Sequence, residues 1–158
     1  MISRANVNDV PIILRIERKC FGRRGFSKAH IIWILKNPAA MTYVYSHQER
    51  PVGTIMLKRD LDVARVVSIA VLPGQRRRGV GTELMAMAED IMREQGAKVM
   101  KLEVNVNNDT AINFYRHLGY DFDGILKGYY SWGEDAYVMG KTLDQEEDSE
   151  VDCIGFRS

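Results

Sequence analysis

The chain has 158 residues, enough for one domain with a sizeable core. Apolar residues make up 46% and charged residues 27%, which is typical of soluble globular proteins and not of disordered chains. A formal net charge of +1 provides no global field that would draw the protein to nucleic acid or to a membrane.

The low cysteine content and the lack of recognisable targeting signals lead us to expect a cytoplasmic protein. The two cysteines, Cys20 and Cys153, lack metal-ligand spacing, which favours a reducing compartment and no bound metal, although a disulfide between them stays open. No apolar run reaches the ~18 residues of a membrane-spanning helix. The N-terminal residues lack the apolar core of a signal peptide, so we expect no leader.

The first half of the chain is predicted to alternate short helices and strands. In order, the predicted elements are a strand over 2–5, a helix with Pro11 in its first turn, a glycine-containing loop over 21–26, a helix capped by Ser27 and ended by Pro38, and antiparallel strands over 41–46 and 52–57. Helical spacing predicts core-facing residues in the first helix at Ile12, Ile13, Ile16 and Cys20.

The second half repeats the alternation with longer elements. The predicted elements are a strand over 66–72, a basic loop over 75–81, a helix over 82–95, a strand over 97–106, a helix capped by Asp109, and a hairpin of 120–130 with 136–141. A right-handed crossover makes the strands at 66–72 and 97–106 parallel. The order predicts an α/β sandwich around one central, mixed but mostly antiparallel sheet.

Domain organisation follows from composition. We find no internal repeat and no linker in residues 1–143, which are expected to form one domain. Residues 144–158 differ, because 144–152 hold six acidic residues and only one large apolar side chain. Such a run predicts a solvated, mobile C-terminal tail.

The basic loop has the features of an anion site. It contains Arg76, Arg77 and Arg78, then Gly79 and Gly81, just before a predicted helix. Backbone N–H groups and the positive end of the helix dipole favour an anion there, and three arginines suggest a polyvalent one such as a pyrophosphate. Leu84 replaces the third glycine of a dinucleotide fingerprint, and the Gly-Lys-Ser/Thr of nucleotide hydrolases is absent from the loop. A plain turn before a solvated helix start is the alternative.

The motif Arg76-x-x-Gly79-x-Gly81, following an Ile-Ala-Val-x-Pro strand, resembles the acetyl-CoA pyrophosphate loop of the GNAT acetyltransferase superfamily. The later segment Leu102-Glu103-Val104, Asn108, Ala111, Tyr115 and Leu118-Gly119-Tyr120 resembles the family's next strand and helix. The resemblance implies about seven strands, about four helices on both faces, and a V-shaped splay between strands near 66–72 and 98–106. It implies acetyl-CoA as co-substrate, held by Ile69, Ala70, Val71, Arg76, Arg77, Arg78, Gly79, Val80, Gly81, Thr82, Asn108 and Tyr115.

Two residues are candidates for catalysis. From the residues alone, Glu103 reads as a solvated strand residue and Tyr115 as a packing residue on a helix. The resemblance implies that Glu103 is the general base and that Tyr115 protonates the departing thiolate. It also implies that the backbone of 69–71 pairs with the pantetheine arm and polarises the thioester carbonyl.

A C-terminal motif indicates which subgroup of the GNAT superfamily the chain resembles. Gly128-Tyr129-Tyr130, followed by the segment 133–139, is similar to the hairpin of protein Nα-acetyltransferases of the Ard and Rim type. This implies that the acceptor is the N-terminal α-amine of a protein or peptide, which attacks directly in a ternary complex. Substrate-binding walls are expected at Phe21 and Phe26, opposite Tyr129 and Tyr130.

The loop over 21–26 departs from the family pattern. Ard-type enzymes carry a Leu-Pro-Glu-Asn-Tyr-like segment there, whereas this chain has Phe-Gly-Arg-Arg-Gly-Phe. Arg23 and Arg24 cannot easily be buried unpaired, so we expect them at the mouth of the groove, where they would favour acidic peptides.

Other functions stay open from the sequence. An acetyltransferase for internal lysines or for a small-molecule amine would use the same loop. A non-catalytic module that binds CoA or nucleic acid is another class, against which the low net charge and the lack of a basic stripe argue. Expected partners are protein N-termini and, beyond these, a ribosome or an auxiliary subunit, with no nucleic acid and no membrane. We expect a monomer or a weak homodimer.

Overall fold

A computed structural model describes residues 1–143. The predicted acidic tail and Cys153 lie outside the described residues. The described part contains one seven-stranded sheet with strand order β1-β2-β3-β4-β5-β7-β6. The strands are β1 Ile2–Arg4, β2 Ala40–His47, β3 Arg50–Asp60, β4 Val63–Val71, β5 Val99–Asn105, β6 Asp121–Leu126 and β7 Ala136–Thr142. Among the strand pairs of residues 1–143, only β4–β5 is parallel, so the predicted mixed sheet is confirmed.

In the part of the chain that the structure describes, four α-helices cover the two faces of the sheet. They are α1 Val10–Phe21, α2 Lys28–Lys36, α3 Val80–Glu94 and α4 Asp109–His117. Side chains alternate across a strand, so β3 sends Met56 to one face and Ile55 to the other. Met56 packs in the core cluster of α1 and α2, and Ile55 packs in the larger cluster of α3 and α4. None of the helices within residues 1–143 has the length and apolar character needed to cross a membrane.

The parallel pair β4–β5 separates part of the way along its length. Its register runs only from Val63 opposite Val99 to Val66 opposite Leu102. β4 continues to Val71 and β5 to Asn105 without further pairing between them. The predicted V-shaped splay is therefore confirmed. It leaves a gap in the sheet between the C-terminal ends of β4 and β5.

Several element boundaries differ from the prediction, as where β4 begins at Val63 and not at Val66, and three further differences lie close to the site. α3 begins at Val80 and not at Thr82, because Gly79 adopts a left-handed φ of 82° immediately before it. The cap of α4 is Asn108, whose side chain accepts the N–H of Ala111, and not Asp109, which is the first helical residue. β6 ends at Leu126, so the paired tyrosines lie in a loop before β7 and not in a strand.

Candidate active site

A cavity of about 610 Å³ occupies the splay between β4 and β5. α1, the loop after it, the start of α4 and the loop before β7 complete its walls. Because each element contributes side chains from a different part of the chain, the cavity brings together residues that are far apart in sequence.

The predicted site residues divide into those that line this cavity and those that do not. The lining ones are Glu103, Tyr115, Ile69, Asn108, Phe21, Phe26 and Tyr130. The predicted residues outside its lining are Ala70, Val71, Arg76, Arg77, Arg78, Gly79, Val80, Gly81, Thr82 and Tyr129. The two predicted catalytic residues thus share one cavity, while the predicted anion loop lies outside its wall.

Glu103 projects from β5 with both carboxylate oxygens engaged. Arg65 on β4 donates from Nη1 to Oε2, and the hydroxyl of Tyr129 donates to Oε1 at 3.2 Å. The side chain of Glu103 is 12% exposed, so it is largely shielded without being sealed from solvent. A carboxylate has about four lone-pair positions, so these two contacts leave acceptor capacity for an amine or a bridging water.

Tyr115 lies on the buried side of α4. Only 7% of its surface is exposed, and its ring meets those of Phe114 and Tyr120 edge-on, with centroids 5.2 and 6.0 Å away. Burial, together with the nearby Tyr130 hydroxyl, raises the pKa of Tyr115 well above its ordinary value. The phenol therefore stays protonated at neutral pH and is present as a proton donor.

The anion loop has the backbone geometry of a site at a helix N-terminus. Gly79 precedes α3 with no side-chain cap, and the first N–H groups of a helix have no intrahelical partner. Arg77 has a positive φ of 64°, and Arg76 donates from Nε to the carbonyl oxygen of Val71 at 2.9 Å. A Cβ on Gly81 would lie 3.2 Å from the ring of Phe114, so glycine also allows α3 to pack closely on α4.

The loop before β7 is ordered by Glu134, a residue that the sequence analysis treated as part of a turn. Its carboxylate accepts hydrogen bonds from Asn105 at 3.0 Å, from Asn107 at 2.8 Å and from the indole N–H of Trp132. These donors hold the pKa of Glu134 below its usual range. Tyr130 stacks on Trp132 with centroids 4.8 Å apart, and burial raises the pKa of Tyr130 to about 12.

Arg24 has two partners within the protein, which the sequence did not predict. Its Nη1 lies 3.3 Å from Oε1 of Glu134, and its guanidinium lies 4.1 Å from the ring centre of Trp132. The sequence could not pair them, because the acidic and the aromatic partner lie in the loop before β7, more than 100 positions away. The preference for acidic peptides stays a prediction. These contacts bridge the two loops at the mouth of the cavity.

Sequence reasoning also missed Glu17. This residue lies on α1, only 1% of its surface is exposed, and it lines the cavity. A signal was present, because Glu17 falls four residues after Ile13 and therefore on the predicted apolar face. An acidic residue there indicates a specific hydrogen-bonded role, since an unpartnered buried carboxylate is costly. No group of three or more metal-ligating side chains occurs among the described residues.

Comparison with known proteins assigns the family. Residues 10–120 match the model of the acetyltransferase (GNAT) family. The match includes α1, the anion loop, Glu103 and Tyr115, so it covers most of the elements that form the site. The chain belongs to the GNAT acetyltransferase family, which confirms the resemblance inferred from its motifs.

Three relatives illustrate the similarity within the family. An N-alpha-acetyltransferase of Sulfurisphaera tokodaii is 34% identical over 90% of this chain and 92% of that protein. The N-terminal acetyltransferase A complex catalytic subunit NAA10 of Arabidopsis thaliana is 30% identical over 90% of this chain and 77% of its own. The crystal structure of Ard1 from Thermoplasma volcanium superposes with a TM-score of 0.85 at 28% identity, covering 92% of this chain and 98% of that one.

Proposed function

We propose that this protein transfers an acetyl group from acetyl-CoA to the N-terminal α-amine of proteins or peptides, by direct attack in a ternary complex. Relatives that cover nearly the whole chain carry the name N-alpha-acetyltransferase, which supports this acceptor. The observation that carries the proposal is the hydrogen bond between Tyr129 and Glu103. It joins the motif that is typical of Nα-acetyltransferases to the residue predicted to accept the proton.

The chemistry fits the groups in the cavity. A peptide α-amine has a pKa near ~7.7–8.0, so a sizeable fraction is already neutral at physiological pH. Acetyl-CoA supplies an activated acetyl thioester. Glu103 accepts the remaining proton, directly or through a water, from the acceptor amine. Lysine, with a pKa near ~10.4, would be a more demanding acceptor for the same base.

Tyr115 is proposed as the acid on the opposite side of the reaction. Its hydroxyl stays protonated because burial raises its pKa. A proton can pass from this phenol to a thiolate only where the same apolar surroundings also raise the basicity of the sulfur. A thioester sulfur bound beside Tyr115 in this cavity would meet that condition, because burial raises the pKa of a thiol as well.

The proposed co-substrate site combines the anion loop and the splayed strand. The N–H groups at the start of α3, with Arg77 and Arg78 beside them, fit a pyrophosphate. Residues 69–71 of β4 pair with β3 on one side and have no partner strand on the β5 side, where their backbone could pair with an extended amide chain. Asn108 and Tyr115 lie at the cavity end of this track.

The acceptor would lie between the loop over 21–26 and the loop before β7. Phe21 and Phe26 line one side of the cavity and Tyr130 the other, while Tyr129 reaches Glu103 from outside the lining. The relative from Arabidopsis thaliana is named as the catalytic subunit of a complex. We therefore also propose an auxiliary subunit as a partner of this chain. The cytoplasmic location and the monomeric or weakly dimeric state stay predictions.

A matched pair of peptides tests the proposed acceptor. One peptide has a free α-amine and the other is identical except that its α-amine is formylated, and both lack lysine. We expect thiol release from acetyl-CoA with the free peptide only. Equal release with both peptides, or none with a broad set of free first residues, would contradict the proposal.

A further inference from the structure

A buried carboxylate that the proposed chemistry does not use forms part of the cavity wall. Glu17 lies near the C-terminal end of α1. Its Oε1 accepts the backbone N–H of Phe26 at 3.0 Å, and its Oε2 accepts the hydroxyl hydrogen of Ser68 at 2.8 Å. One side chain therefore joins α1, the loop that follows it and strand β4.

Keeping Glu17 buried costs free energy that an apolar residue would not. A carboxylate removed from water must be compensated by hydrogen bonds, and both of its donors here are neutral groups. Burial raises the pKa of Glu17, while the two hydrogen bonds and the nearby His30 act in the opposite direction. A residue that carries such a cost at the edge of a cavity calls for a specific role.

The loop that Glu17 holds packs closely on the last turns of α1. A Cβ on Gly25 would lie 3.0 Å from the backbone carbonyl oxygen of Glu17, so the loop passes directly over this residue. Gly22 starts the loop with a left-handed φ of 58°, which lets the chain reverse after α1. Phe21 and Phe26, at the two ends of this loop, both line the cavity.

We propose that Glu17 is a positioning residue, whose two hydrogen bonds fix the loop over 21–26 against β4 and thereby set one wall of the acceptor pocket. The inference rests on the proposed function, because that wall faces the side where the acceptor would lie. Glu17 acts through hydrogen bonding and not through its charge. A glutamine could make both contacts, since its amide oxygen accepts from Phe26 and its amide nitrogen donates to the Ser68 hydroxyl.

Two substitutions separate these roles kinetically. Glu17→Leu removes both hydrogen bonds, and we expect it to raise the KM for peptide roughly tenfold, the scale for two lost hydrogen bonds. The Kd for acetyl-CoA, measured by calorimetry, should stay within about twofold of wild type, because the anion loop is untouched. Glu17→Gln should keep the wild-type KM for peptide. Ser68→Ala removes one of the contacts from the strand side and should give an intermediate KM.

Limited proteolysis tests the same inference without any substrate. Trypsin cleaves after Arg23 and Arg24, which lie within the loop that Glu17 holds. Cleavage at these two sites, relative to other sites in the chain, should accelerate in Glu17→Leu and stay at the wild-type rate in Glu17→Gln. Glu89→Leu is the matched control, because Glu89 is also a buried carboxylate with two partners, Tyr120 and Lys141, and does not line the cavity.

The outcomes are distinct. If Glu17→Gln is as impaired as Glu17→Leu, the charge of Glu17 matters and the positioning role is wrong. If Glu17→Leu changes neither the KM for peptide nor the cleavage at Arg23 and Arg24, Glu17 does not hold the loop. If the proteolysis result is as expected but wild type acetylates no peptide α-amine, the proposed function fails while the contact between Glu17 and the loop stands.

Discussion

The hydroxyl of Tyr129 donates to Oε1 of Glu103 at 3.2 Å, linking the loop before β7 to the middle of β5. Arg65, on β4, donates to the other carboxylate oxygen of Glu103. The carboxylate is therefore oriented from both sides, by one residue of the core sheet and one residue of the acceptor-side loop. A general base works only within hydrogen-bond reach of its proton, so this orientation bears directly on turnover.

Tyr129→Phe removes the loop side of this arrangement and keeps the ring. We expect kcat to fall roughly threefold to tenfold, because one hydrogen bond contributes ~0.5–1.5 kcal/mol. Steady-state kinetics with a saturating peptide measures the change. Tyr43→Phe is the control, because the Tyr43 hydroxyl contacts the sulfur of Met41 and does not line the cavity. A Tyr129→Phe enzyme with wild-type kcat would show that the contact with Glu103 has no role in turnover.

Glu103→Gln tests the base directly. We expect kcat to fall roughly 10²-fold with little change in the KM for acetyl-CoA, as for loss of a general base. Raising the pH to about 9 should partly restore kcat, because the substrate α-amine, with a pKa near ~7.7–8.0, then loses its proton unaided. A pH–rate profile of both enzymes measures this. Equal kcat values at neutral pH would remove Glu103 from the mechanism.

Gly79→Ala tests the backbone geometry of the anion loop. Gly79 has a φ of 82°, where a Cβ is strained, although no atom within 4 Å blocks it. The substitution should therefore displace the N–H groups at the start of α3 and weaken acetyl-CoA binding by about tenfold, on the scale of ~1–2 kcal/mol of left-handed strain. Calorimetric titration measures the affinity. Gly74→Ala, in the turn just before this loop and without a positive φ, is the matched control.

Single arginine replacements in that loop should have smaller effects. Arg77→Ala and Arg78→Ala are each expected to cost ~1 kcal/mol or less of acetyl-CoA binding, since exposed charge pairs are screened by water. The loss should shrink further as salt is added. Calorimetry at two ionic strengths tests this expectation. Losses that exceed that of Gly79→Ala would show that side chains, and not the backbone, hold the anion.

The raised pKa of Glu17 should make the difference in stability between wild type and Glu17→Gln depend on pH. Burial raises its pKa in the folded protein, so folding favours the protonated form. This contribution is present below the unfolded pKa near ~4.3 and is lost as the pH rises through the raised folded value. Glu17→Gln cannot titrate, so its Tm should gain on wild type as the pH rises from about 4 and then level off. Thermal melts across this range measure it, and a difference that is constant with pH would contradict the direction of the shift.

Much of the fold followed from local sequence patterns. The parallel pairing of β4 with β5 was predictable because two apolar strands flank one amphipathic helix. Alternation in β5 correctly separated Glu103 from the buried Leu102 and Val104. The family resemblance, and not spacing alone, implied that Glu103 and Tyr115 act in one site, and both line the same cavity.

Two of the missed contacts join segments that are distant in the chain. Arg24 and Glu134 are separated by 110 positions, and Glu17 and Ser68 by 51, so no local pattern could pair them. Their meeting depends on how the loop after α1 folds across the splayed strands, which is a tertiary property. Glu17 alone left a trace, as an acidic residue on an apolar helix face. The extension of the hairpin to Tyr130 failed for a local reason, since Asp135 binds the N–H of Gly128 and turns the chain.

The proposal that the acceptor is an N-terminal α-amine is tested most directly with a single peptide that carries both a free α-amine and an internal lysine. The measurement locates the acetyl group on this peptide. The peptide is incubated with acetyl-CoA and wild-type protein, and in parallel with Glu103→Gln, and the product is sequenced by tandem mass spectrometry. We expect wild type to acetylate the α-amine and to leave the lysine unmodified. With Glu103→Gln the yield of this product should be roughly 10²-fold lower. Acetylation of the lysine with a free α-amine would contradict the proposal.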